Sequence, residues 1–271
     1  MTAIPTAGAP ARQRVTARWV FWALLMRDVT VVRRELVFFL LRTTMQPIMF
    51  TLVFGFLLPK MGFVQRDYTS ALLPGLLGIS LAFAAVQSVA LPMVADFGWT
   101  REIEDRLLAP VDNRLVALEK VVAASVQGII AALFVLPVAR AIMGPVAGLT
   151  VSHFGEVIAV VTFGAAAFSV IGLFLGTVIE GQQVGLMFGF IVAPMIMFGC
   201  AYYPWRLLDR VPLLQIAVLV NPLTYVAEGL RAVLTPDRPH MPLTAVLAAL
   251  VVVTALFWRL GLRTFMKRAV G

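Results

Sequence analysis

The side chains able to do chemistry are few, and their spacing suits little of it. His153 and His240 lie far apart, with no H-E-x-x-H pattern and no G-x-S-x-G turn. Neither zinc hydrolysis nor acyl transfer therefore has its groups. Cys200 is the single cysteine, which rules out an intrachain disulfide and reads as a small apolar residue. No G-x-x-x-x-G-K-[ST] stretch is present to cradle nucleotide phosphates. What stands out is DFGWTREIEDRLLAPVDNR, Asp96 to Arg114, a doubly charged segment between two long apolar stretches. Thr100 suits a helix start, and Glu102 favours the positive N-terminal end of a helix dipole. Ile103 and Leu107 recur at i, i+4, and Pro110 ends the pattern. A short helix with one apolar stripe and exposed Glu102, Glu104, Asp105 and Arg106 is shaped to dock into a groove. The alternative is an ordinary charged loop.

A second constellation is NPLTYVAEGLRAVL, Asn221 to Leu234. Asn221-Pro222 is a chain break, and Glu228 and Arg231 at i, i+3 share one helix face. Before it runs LLQIAVLV, from Leu213 to Val220, closed in front by Pro212. Eight residues are too few to cross a bilayer, so a short re-entrant or interfacial helical pair is expected. Glycines form the third pattern. Gly172 and Gly176 would line one face of a fourth span; Gly185 and Gly189, with Ala193, would line one face of a fifth. Such small-xxx-small units let helices approach closely, either inside one subunit or at a seam between two.

The elements that must position these residues follow from composition. The 271 residues are 61% hydrophobic and 13% charged, with mean hydropathy +0.93. A soluble domain carries about 25% charged residues, so this chain lacks the polar surface to wet a globule. An all-α integral membrane protein is expected. Apolar stretches fall at about 36–58, 69–95, 117–140, 154–179, 184–204 and 243–262, each long enough to cross about 30 Å of hydrocarbon as a helix. None shows the alternation of a barrel strand. With both termini inside, fourteen Lys and Arg fall on the inner side and seven on the outer, with Arg42 within the first span. That bias puts the termini and the segment around Glu102 in the cytoplasm. It also gives the net charge of +8 a membrane-orienting role rather than a nucleic-acid one. Residues 1–17 read as a basic disordered tail, retained because no small-x-small cleavage site follows WVFWALLM. Over 18–35, Leu25, Val29, Val32 and Leu36 recur at helical spacing opposite Arg27, Thr30 and Arg34, which reads as a helix lying in the inner interface. A first span that begins early is the alternative.

Inside the spans, ionisable groups are nearly absent, and Glu180 sits at a boundary. Gln46, Gln87 and Gln127 read as interhelical hydrogen-bond partners. A proton- or sodium-coupled carrier would need inner ionisable residues or inverted repeats, and a membrane enzyme a convergent polar site. Both readings are disfavoured.

These residues resemble the type-2 ABC export permeases, including the branches for drug resistance and lipid-linked glycan export. GWTREIEDRLLAPVDNRL is similar to that family's G-T-x-E-x-L-L-x-x-P pattern between the second and third spans, with Trp99 inserted and Asp105-Arg106 ahead of Leu107-Leu108. NPLTYVAEGLRAVL is similar to its N-P-x-T-Y-x-x-E-x-x-R pattern before the last span. The resemblance implies a transmembrane domain over 18–271 that works as a half-transporter in a bacterial cytoplasmic membrane. It would pair with a second copy or a paralogue, and a separate ATPase subunit would hold the ATP and Mg. It places Thr100, Glu102, Ile103, Glu104, Leu107 and Pro110 in or beside a coupling helix. It places Asn221, Pro222, Tyr225, Glu228 and Arg231 in an outer re-entrant element, with Glu228/Arg231 a brace or gate rather than a substrate contact. An amphipathic, hydrophobic or lipid-linked cargo (drug, lipid or glycolipid) is implied, with export of a polysaccharide or lipid-linked glycan by the same architecture as the alternative.

Overall fold

Leucine, valine, alanine and phenylalanine in runs of 20 or more leave the backbone one way to satisfy itself in hydrocarbon, which is helix. The computed structural model describes residues 17–65, 68–98, 112–150 and 153–270, and there the chain is helical without strands. Helix α1 is Ala17–Arg34, and a break at Glu35 (φ −108°, ψ 20°) separates it from α2, Leu36–Lys60. Then follow α3 (Tyr68–Gly98), α4 (Asn113–Met143), α5 (Phe154–Val178) and α6 (Gly181–Met197). A bent pair comes next, α7 (Pro212–Val220) and α8 (Pro222–Leu234), and α9 (Leu243–Val270) closes the chain. Helices α2, α3, α4, α5 and α9 are each long and apolar enough to cross a membrane.

Helix α3 is the hub and the most buried of these spans. It packs against α2, α4, α5 and α8, while α9 lies along α5. Glycine makes the closest of these approaches possible. A Cβ on Gly172 would sit 2.9 Å from the Val86 carbonyl oxygen, and one on Gly176 2.8 Å from the Ala90 Cα. Any larger residue there would push α5 off α3. Seryl and threonyl hydroxyls fasten the same seams: Ser125 bonds Ser169 at 3.0 Å between α4 and α5, and Thr177 bonds Thr264 at 2.6 Å between α5 and α9.

One expected boundary is corrected. The apolar stretch 184–204 does not form one span: helix α6 ends at Met197, and residues 198–204 turn back toward the bundle. Cys200 takes φ 51°, a left-handed conformation no helix continues through. Ala201 lies so close to α3 that a Cβ on Gly75 would overlap its carbonyl. At seventeen residues α6 sits at the lower limit for a crossing, and it contains a π-helical turn at Phe188–Val192. The proline-bounded stretch does form two helices, α7 and α8, which meet at 99°.

Helices α3, α5 and α9 run in one direction and α4 in the other, so the molecule has two ends. One carries Gly98, Asn113, Val178 and the last turns of α9. The other carries Tyr68, Met143, residues 198–242 and the α7–α8 elbow. Residues 99–111, with Thr100, Glu102, Ile103, Glu104, Leu107 and Pro110, lie outside the described residues, as does the tail before Ala17.

Candidate functional site

At the elbow end, Pro222 opens α8 and Asn221 caps it, its Oδ1 accepting from the Leu223 N–H at 3.0 Å. The same side chain turns its Nδ2 to the Met195 carbonyl at 2.7 Å, tying the elbow to the end of α6. Thr224 Oγ1 donates to the Val218 carbonyl and Tyr225 Oη to the Leu219 carbonyl, at 2.8 and 2.7 Å. Thr224 and Tyr225 thus fasten the last turn of α7, and Asn221 of the same motif ties the bend to α6.

One turn on, Glu228 and Arg231 face inward with 0% exposure. They are ion-paired through Glu228 Oε1 and Arg231 Nη1. The carboxylate is fully occupied, because Oε1 also accepts from the Trp205 N–H and Oε2 from the Met241 N–H, each at 2.8 Å. The guanidinium reaches across to α3, where Nε and Nη2 donate to the Ala71 carbonyl at 3.2 and 3.0 Å, and Nη2 also donates to the Cys200 carbonyl at 3.1 Å. A buried charge is tolerable only when paired and bonded in this way. The arrangement binds α8, α3, the 200–205 turn and the start of the last connection into one block. Both carboxylate oxygens are hydrogen-bonded, and neither side chain is exposed in the single chain.

At the opposite end, Arg268 on α9 donates through Nη1 to the Thr177 and Ile179 carbonyls, at 3.1 and 3.3 Å, where α5 ends. Its guanidinium lies 4.9 Å from the ring centre of Phe97, the penultimate residue of α3, and Phe97 meets Phe265 edge-on at 5.9 Å. Free helix-end carbonyls attract cations, and Arg268 fills that role for α5. The last turn of α3, which leads directly into 99–111, is therefore clamped to α5 and α9. Nearby, Lys120 Nζ on α4 and Asp28 Oδ2 on α1 form an ion pair at 2.6 Å. That pair pins the first helix to the bundle.

The four glycines separate into two kinds. Gly172 and Gly176 are spent within the chain, against α3. A Cβ on Gly185 or Gly189 would meet nothing from the other described helices within 4 Å, and the surface beside them is apolar, with Phe190 79% exposed. Asp28–Lys120, Phe97–Arg268 and Trp205 escaped sequence reasoning. A charge one or two turns inside an apolar run was the available signal for Lys120. A backbone donor such as the Trp205 N–H has none. The three intramembrane glutamines also differ from expectation, since among the described residues Gln46, Gln87 and Gln127 show no hydrogen-bond partner.

No curated protein sequence matches this chain. A family model does: that of the ABC-2 type transporter membrane region, over residues 20–235. The match runs from α1 through the hub helix and the elbow to the residue after α8. The chain therefore belongs to the ABC-2 type transporter family, as a multi-pass permease subunit.

Proposed function

We propose that this permease is the membrane half of an ATP-driven exporter that releases an amphipathic, hydrophobic or lipid-linked molecule from the cytoplasm. A separate ATPase subunit binds the ATP and Mg and meets the permease at residues 99–111. The observation that carries this reading is the attachment of that segment: it leaves from α3, the hub, at a turn held to α5 and α9 by Phe97 and Arg268. A push on 99–111 is thereby delivered to the centre of the bundle rather than to a loose loop. The fully satisfied Glu228–Arg231 pair supports the same reading, because it serves as a brace and not as a relay for a coupled ion.

Two copies would face one another across a path, and α6 is the face best suited to the pairing. Its open glycines accept close approach, and its apolar side chains are uncovered in the single chain. ATP closes the partner's dimer, the two 99–111 segments draw together, and the hub helices rock to let cargo leave past the elbows. Exposed Leu213 and Val220 on α7, 84% and 87% exposed, favour a cargo with an apolar portion.

The test is a Glu102→Lys/Glu104→Lys double variant, reconstituted with its ATPase. ATP hydrolysis should persist at the basal rate, while its stimulation by the permease and the export both fall by tenfold or more, equivalent to about 1.4 kcal/mol of coupling per decade. Unchanged export would reject the assignment of this segment.

A further inference from the structure

Between α1 and α4 the structure leaves a groove whose walls are almost wholly apolar. The two helices touch at the Asp28–Lys120 ion pair and part beyond it, around a cavity of about 240 Å³. Val29 and Leu36 form one wall and Ala123, Val126 and Ile130 the other. Only two polar side chains line it, Arg33 from α1 and Gln127 from α4. Both are without a hydrogen-bond or ion-pair partner among the described residues, while the neighbouring charge of Asp28 is already consumed by Lys120.

The depths of these groups are ordered. Lys120 lies two turns inside α4, where its charge meets Asp28 of α1. Gln127 lies two helical turns further along, about 10 Å deeper. Arg33 sits in the last turn of α1, whose basic residues there, Arg33 and Arg34, outnumber the exposed Glu35 at the break. An amide in hydrocarbon costs free energy unless it is bonded, and an exposed guanidinium at an interface attracts an anion. A molecule that answers both at once carries a negative phosphate, uncharged carbonyl acceptors just below it, and a hydrocarbon chain.

We propose that this groove binds one anionic phospholipid of the surrounding bilayer. The phosphate rests on Arg33, an ester carbonyl accepts from the Gln127 amide, and part of one acyl chain lies along Val29, Ala123, Val126 and Ile130. The lipid completes the packing of α1 against α4 on the side that the Asp28–Lys120 pair leaves open. A zwitterionic lipid would fill the apolar part but would add no net charge to meet Arg33.

The site is testable on the purified full-length permease, without its ATPase and without transport, so its fate is separate from that of the exporter reading. Native mass spectrometry would compare retention of phosphatidylglycerol and phosphatidylcholine with identical acyl chains. The wild type should retain one phosphatidylglycerol in preference to phosphatidylcholine. Arg33→Gln should cut that preference by about fivefold, the order expected for one basic residue near a membrane surface. Arg34→Gln, an equal loss of charge at a residue that does not line the groove, should leave it intact. Val126→Phe, which fills the apolar wall, should weaken retention of both lipids. Equal loss in the Arg33 and Arg34 variants, equal retention of the two lipids by the wild type, or undiminished retention in Val126→Phe would each overturn the proposal. Val126 and both arginines lie on exposed surface, so the variants retain the fold.

Discussion

Removing the guanidinium in Arg231→Ala would leave the Glu228 carboxylate inside the protein without its counter-charge and strand the Ala71 and Cys200 carbonyls. Breaking one partner of a buried pair costs about 3–5 kcal/mol, which exceeds the margin of many folded proteins. The expected result is a large fall in folded, monodisperse permease by fluorescence-detected gel filtration. Glu228→Gln/Arg231→Met, which removes both charges, should recover part of it. The small amount of each variant that does fold should export at the wild-type rate per molecule; a rate that drops while the fold holds would make the pair a gate instead of a brace. The sequence made half of this legible. Glu228 and Arg231 at i, i+3 announced a pair, and Asn221-Pro222 announced the break before it. The remaining partners were invisible, because they are backbone groups of Ala71, Cys200, Trp205 and Met241, and a peptide carbonyl or N–H looks the same wherever it occurs.

At the scale of elements, identical glycine spacing serves two purposes, and only the surroundings separate them. Gly172 and Gly176 let α5 lie against the α3 backbone, so Gly172→Val or Gly176→Val forces contacts near 2.9 and 2.8 Å to open. Overpacking of that kind costs roughly 1–3 kcal/mol, and thermal unfolding followed by tryptophan fluorescence should show the midpoint falling. Gly185→Val and Gly189→Val meet open space in the single chain, so their unfolding midpoint should stay near that of the wild type. Their effect should appear as loss of the two-copy species on crosslinking or mass photometry. A collapse of the fold in the Gly189 variant, with pairing intact, would contradict the reading of α6 as a seam. Sequence spacing left the two uses open because a repeat records which residues share a helix face and not what lies opposite. The end of α6 was misjudged for a related reason: apolar character runs on to Trp205, while the backbone leaves the helix after Met197 to bring Ala201 against Gly75. Hydropathy follows burial, and burial continues past the helix.

Across the whole molecule the decisive question is which end faces the cytoplasm, and charge is the feature that assigns it. Gly98 and Asp112, which flank 99–111 in the sequence, the last turns of α9 and the charged part of α1 share one end of the helix bundle, and the sequence segments assigned to that side hold fourteen of the 22 Lys and Arg. Arginine and lysine are retained on the side of synthesis, so this end should lie inside. The fold itself was legible from periodicity and length, but orientation enters through a bias of counts alone and needs its own measurement. Cys200 makes that measurement clean, since it is fully buried and should not react with a membrane-impermeant maleimide from either side. Introduced singly, Glu104→Cys should label in inside-out vesicles and stay unlabelled in right-side-out ones, by at least tenfold in yield. Arg210→Cys, on the exposed connection before α7, should show the reverse. Labelling of position 104 from outside would put 99–111 where no ATPase could reach it, and the exporter mechanism would fall with it. Labelling of both positions from one side would instead mean that the chain between them, α4, α5 and α6, crosses the bilayer an even number of times, against the placement of Asn113 and Arg210 at opposite ends of the bundle.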